Sequence, residues 1–152
     1  MSDQNLDRGL LKAIALGDGE SIRDLNEKRL ASDRDPQQRK DFRTLTSALF
    51  VVALEQRFAD DTSSEAVKRF VEELRYDYRD AKPPIKPLVT EAVIRAVMGE
   101  EHLLDEISAE DQLESQFPVI RKITMQSSDM TARIDSYLDD AQSLAREWES
   151  AE

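Results

Sequence analysis

The chain has 152 residues, of which 39% are hydrophobic and 35% charged, with a formal net charge of −11. That length suits one domain and can hide roughly 70% of the surface an unfolded chain exposes, so a core needs no covalent staples. The absence of cysteine excludes a disulfide scaffold and any Cys-ligated zinc or iron–sulfur site, and the longest apolar run, Ala48–Leu54, is far short of the ~20 residues a membrane span requires.

Helix start and stop signals divide the chain in order. Leu6, Leu10, Leu11, Ile14 and Ala15 recur at helical spacing, and Gly17 supplies a residue able to adopt positive φ at the end. Asp18 is placed to cap a second short helix carrying Ile22, Leu25 and Leu30. Asp35-Pro36-Gln37-Gln38 joins an N-cap acid, a proline at the first helical position and a capping-box glutamine, opening a long helix to about Phe58. Thr62-Ser63-Ser64-Glu65 reads as another capping box, for a helix ending near Asp80. The run Lys82–Pro87 breaks that helix. The next is expected from Pro87 to about Ile107, with Gly99 the residue able to interrupt it. Ser108 to Asp111 starts a further helix that Pro118 should kink or split, and Ser128 or Asp129 caps a last one ending near Glu149.

Strand signals are weak, and no internal repeat is visible. The expected fold is therefore all-α: one domain over residues 1–152, a helical bundle or orthogonal array of about six or seven helices, with a long C-terminal amphipathic helix. Residues 1–4 and 150–152 are expected to fray. In 42–58, Phe42, Leu45, Leu49 and Val52 form one stripe that Phe50, Val51, Leu54 and Phe58 widen almost to the full circumference, which marks a central buried helix. Leu88 to Met98 is nearly as apolar and is expected to lie against it. Val67, Phe70, Val71, Leu74 and Tyr78 should pack on that pair.

Charge is uneven along the chain. Residues 1–99 hold 18 acids and 17 bases, whereas 100–152 hold 14 acids and 4 bases. Such an acidic block repels phosphate backbones and anionic lipid and attracts basic partners. Direct nucleic-acid binding is disfavoured. The first twenty residues carry acids early and lack an apolar stretch long enough for a signal peptide, so a cytoplasmic protein is expected.

The usual catalytic and phosphate-binding signatures are missing. His102 is the only histidine, and neither a G-x-S-x-G elbow, a P-loop nor a G-x-G-x-x-G segment occurs. Glu73, Asp77 and Asp80 fall at i, i+4 and i+7, but on a helical wheel with Val67 at zero they point to about 240°, 280° and 220°, away from the apolar face. They read as solvated charge. His102 and Glu106 are four apart, yet a di-iron bundle wants Glu-x-x-His twice and the residue three before His102 is Gly99. Asp60-Asp61 sits in an interhelical turn and Asp139-Asp140 on a polar helix face, so neither pair makes a magnesium site. No catalytic residue, cofactor or metal is assigned.

Two features suggest partners instead. Lys82–Pro87 contains a P-x-x-P spacing, better explained as a stiff connector than as a ligand segment. Met130, Ile134, Tyr137, Ala141, Leu144 and Trp148 are spaced 4, 3, 4, 3, 4, a heptad seam along a helix expected over Asp129–Glu149, ~31 Å long. It can bury its stripe on the chain's own core or on another chain. The reading is a non-enzymatic interaction or regulatory module that contacts a protein partner, or a second copy, through this acidic helix. The alternatives are a small-molecule-sensing domain with a pocket between 42–58 and 88–98, an acidic decoy of a nucleic-acid-binding protein and, last, a metal-dependent hydrolase.

Overall fold

Several of the helices begin where a side chain satisfies one of the first unpaired amides. The computed structural model describes residues 3–31 and 35–151. Helix α1 (Asp3–Leu16) ends at Gly17, whose φ of +69° is the left-handed conformation expected there, and a Cβ at that position would also press on the Arg121 guanidinium. The Asp18 carboxylate accepts from the Ser21 amide and hydroxyl at the start of α2 (Gly19–Ala31). Asp35 and Gln38 form the full reciprocal capping box, at 2.8 and 2.9 Å, that opens α3 (Pro36–Arg57). In α4 (Ser64–Asp77) the cap is Ser63, one residue later than the Thr62 box implied, because Asp61 takes the Ser63 amide and turns the chain there.

After the proline connector, α5 (Pro87–Val97) stops before Gly99, at φ +116°, and a single 3-10 turn (Glu101–Leu104) follows. Ser108 caps α6 (Ala109–Gln126), which runs through Pro118 as one element rather than splitting. The C-terminal segment divides in two, α7 (Ser128–Ala132) and α8 (Ile134–Ala151). There is no strand among the described residues, so the fold is an all-α array of eight helices, seven of them at least seven residues long. The expected fraying at 1–4 and 150–152 falls partly outside the described residues. Within them, Asp3 and Ala151 are helical.

The core is built around α3, as its all-round apolar surface requires. Ala48, Leu49, Phe50, Ala53 and Leu54 are buried, and α1, α6 and α8 pack against this helix. Helix α6 is a second centre: Val119, Ile120 and Ile123 are fully buried, and it touches α1, α3, α4, α5 and α7. This corrects one expectation. Helix α5 packs chiefly on α4 and α6 instead of α3, so only part of its apolar run is inside and Leu88 remains 82% exposed. With α6 holding the place beside α3, α5 is left in the outer layer. Helix α2 lies mainly on α1 and buries none of its residues.

Helix α4 is fixed through Phe70, fully buried, which meets Phe58 edge-on at 5.6 Å between centroids. Two cations lie near the same ring: the Arg57 guanidinium at 5.6 Å and the Lys122 ammonium at 5.7 Å from its centroid. The Lys122 side chain is only 7% exposed and donates to Asp77, 46% exposed, at 2.6 Å. Removing the acid strands a buried ammonium, whereas removing the cation frees a carboxylate that water still reaches. Asp77→Ala is therefore expected to destabilise by roughly 1–3 kcal/mol, discounted for the exposure of the acid. Lys122→Met should be near neutral. Urea denaturation of the two variants measures this, and equal losses would contradict the burial asymmetry.

Candidate functional site

The C-terminal segment starts with Ser127, whose hydroxyl accepts the Met130 amide at 3.1 Å and whose carbonyl takes the Thr131 amide. The short α7 closes at Arg133, whose amide donates to the Asp129 carbonyl at 2.9 Å, and α8 begins one residue later. The expected single helix over Asp129–Glu149 is thus interrupted. Asp129 lies beside the break and is engaged by both the Arg133 guanidinium and the Tyr137 hydroxyl. Those contacts hold its carboxyl below the ordinary value, the tyrosine hydroxyl contributing most, and the same carboxylate raises the Tyr137 phenol.

The apolar seam faces inward despite the interruption. Met130, Ile134 and Ala141 are buried, together with Leu138 and Ala145 beside them. Tyr137, Leu144 and Trp148 are half-buried against the same core. Most of the stripe is therefore covered by this chain's own helices, chiefly α3. What stays open is its C-terminal end, around Trp148.

Ion pairs tie α8 to α1. Arg8 donates to Asp139 and Gln142, each at 2.7 Å, and to the Asp135 carbonyl at 2.9 Å, while Lys12 meets the Asp135 carboxylate at 3.1 Å. The hydrogen bond from Lys12, followed by those with Arg8, depresses the Asp135 carboxyl. Asp140 and Glu147, in contrast, are exposed on the outer side of α8.

Trp148 forms part of the wall of a groove of about 440 Å³ between α3, the start of α6 and the end of α8. Lys40 and Arg43 stand along its α3 side and Glu149 on its α8 side. Its floor is polar and already satisfied: Gln116, 7% exposed, engages the Ser47 hydroxyl at 3.3 Å, and Gln112 donates to the Ile107 carbonyl at 2.9 Å. An indole beside separated charges of opposite sign suits the recognition of another surface. No acid–base pair converges there.

The other acids do not assemble. Asp77 belongs to Lys122, Glu73 and Asp80 are exposed, and His102 and Glu106 are exposed at the 3-10 turn and just after it. Asp61 accepts from Ser63, which lowers its carboxyl through the hydroxyl and the amide. Among the described residues, no group of three His, Cys, Asp or Glu is placed to hold a metal ion. The Lys82–Pro87 segment contains a cis Lys82–Pro83 bond, and Ile85 packs on the core while Lys86 pairs with Asp111 at 3.0 Å. A basic strip at Arg39, Lys40 and Arg43 was readable as i, i+1 and i+4 of one helix, and it lies where two grooves meet. Nothing in helical periodicity alone shows which neighbours it would face.

A carboxyl whose folded pKa lies below its unfolded value stabilises the fold while ionised. That contribution is complete well above ~3.9 and disappears as the pH falls through the lowered folded value. Asp135 and Asp129 should both behave in this way. Asp135→Asn is expected to be less stable than the parent at pH 7 and to lose less stability between pH 5 and pH 3, followed by urea denaturation. Parallel pH curves would show that the bridge to α1 does not hold α8. Comparison with protein-family models, curated proteins and solved structures gives no match.

Proposed function

We propose that the protein is a non-enzymatic, cytoplasmic interaction or regulatory module that engages a protein partner at the C-terminal end of α8. The observation carrying this reading is Trp148, half-buried on the wall of an open groove where α8 meets α3 and α6. Tryptophan is enriched at energetically dominant interface positions because one ring buries a large apolar area at low entropic cost. The charges around it would orient a bound segment. An acid on the partner suits Lys40 and Arg43, and a base suits Glu149, with Asp140 and Glu147 extending the negative field outward.

The inward-facing seam narrows the contact from the whole helix to this end. A second copy remains the competing occupant within the same reading. The lack of cysteine accords with a reducing compartment. The acidic C-terminal third accords with a protein partner in preference to nucleic acid.

The test compares the full chain with Trp148→Ala/Glu149→Lys, after circular dichroism has shown that both fold alike. A partner retained in stoichiometric amount by the parent and lost by the variant is the expected result. A partner that survives the substitution puts the contact elsewhere. Sedimentation of the parent alone separates self-association from hetero-association.

A further inference from the structure

A second cavity, of about 350 Å³, opens on the other side of Arg43, between α1, α2, α3 and α6. Its walls are apolar: Leu10 and Ile14 from α1, Ile22 from α2, Phe42 from α3 and Phe117 from α6. The two rings lie 6.2 Å apart, tilted by 34°, and make an aromatic side to the cavity. Among the described residues, every charged one that lines it is an arginine: Arg29, Arg39 and Arg43. In a chain with 32 acids and 21 bases, an apolar hollow bordered by three guanidinium groups and, among the described residues, no lining carboxylate is a local reversal of the overall field.

The guanidinium groups are held to different degrees. Arg29 is fixed by Asp7, whose carboxylate accepts its Nε at 3.2 Å, and lies 4.1 Å from the centre of the Phe42 ring. Asp7 is itself buried and does not line the cavity. The Arg43 side chain makes no hydrogen bond or ion pair with any described residue, and Arg43 is exposed at the mouth shared by the two grooves. A preformed cation beside an aromatic wall, with a second one at the entrance, is the polar half of a site for one carboxylate. The volume lies at the lower end of the ~300–1,000 Å³ that small-molecule sites occupy.

We infer that this cavity is a binding site for a small organic monocarboxylate with an apolar body, of the fatty-acid or aryl-acid class. The carboxylate would meet Arg43 and the Arg29 edge, and the body would lie against Ile14, Ile22 and the Phe42–Phe117 wall. A net charge of −11 disfavours a polyanion here, whereas a single negative charge is met by Arg43, with the Arg29 edge held beside it by Asp7. Helix α2 explains what such a ligand adds. It buries no residue of its own and rests mainly on α1, with Ile22 half-covered at the cavity wall. An apolar body in the cavity would complete that burial, so binding should raise the melting temperature by favouring the folded, α2-docked state. The inference shares Arg43 with the partner-binding reading but needs neither Trp148 nor Glu149, so Trp148→Ala/Glu149→Lys should leave it intact.

Decanoate below its micelle concentration and phenylbutyrate are the probes, titrated into the full chain and followed by calorimetry and by methyl resonances. Saturable binding of at least one of them, with shifts at Ile14 and Ile22 and none produced by decylammonium, is the expected outcome. Arg43→Ala should weaken it roughly tenfold, the size of one charge-assisted hydrogen bond. Arg23→Ala, an exposed arginine of α2 outside the cavity, should leave it unchanged, and unliganded melting curves confirm that both variants fold. Failure of both acids to saturate, equal binding of decylammonium, or undiminished affinity in Arg43→Ala would each overturn the assignment.

Discussion

The fold depends on burying α3. Between Phe42 and Phe58 this helix is apolar on nearly every side, and eight of its residues are buried. At roughly 25 cal/mol per Å² of apolar surface, leaving even one side of such a helix in water would forfeit several kcal/mol. Three other helices must therefore close around it. Helices α1, α6 and α8 do so, and each gives up its own apolar stripe in the process.

That requirement settles how the C-terminal helix is used. A heptad seam is compatible with pairing to another chain, but the surface of α3 competes for the same stripe within one molecule, where no translational entropy is lost. Met130, Ile134, Leu138 and Ala141 are consumed in this way. Tyr137, Leu144 and Trp148 stay partly accessible, and Trp148, at the far end, lines an open groove. Grooves consequently form where cylinders diverge: one beside Trp148 and one under α2, on either side of Arg43.

Electrostatics acts on top of this packing. The net charge of −11 describes the far field, while the near field varies from place to place. The bases of α1 neutralise Asp135 and Asp139 of α8, Lys86 meets Asp111, and Arg95 meets Glu100 at 2.7 Å. Exposed pairs of this kind contribute little to stability, so their main consequence is to decide which charges remain available. After pairing, the outward acids Asp140 and Glu147 and the cation Arg43 are among the groups left to meet other molecules.

Local signals carried most of the helix map. The Asp35–Gln38 box, the Ser108 cap, positive φ at Gly17 and Gly99, and the centrality of 42–58 all follow from residue type and spacing, because caps, glycine conformations and periodicity act within a few residues. The continuity of α6 through Pro118 and the break at Arg133 did not follow. The residue types there do not signal either outcome. Pro118 reads as a breaker, and the Asp129, Arg133 and Tyr137 contacts at the break involve side chains whose arrangement spacing alone does not give. The exchange of α5 for α6 beside α3 was no more legible: apolar content says that a helix is buried, and only the competition among all the helices says against which one. The inward seam, the open Trp148 groove and the clustering of Arg29, Arg39 and Arg43 belong to that second level. They bring together residues from helices far apart in the chain, and the placing of one helix against another is decided by how they fill space around α3.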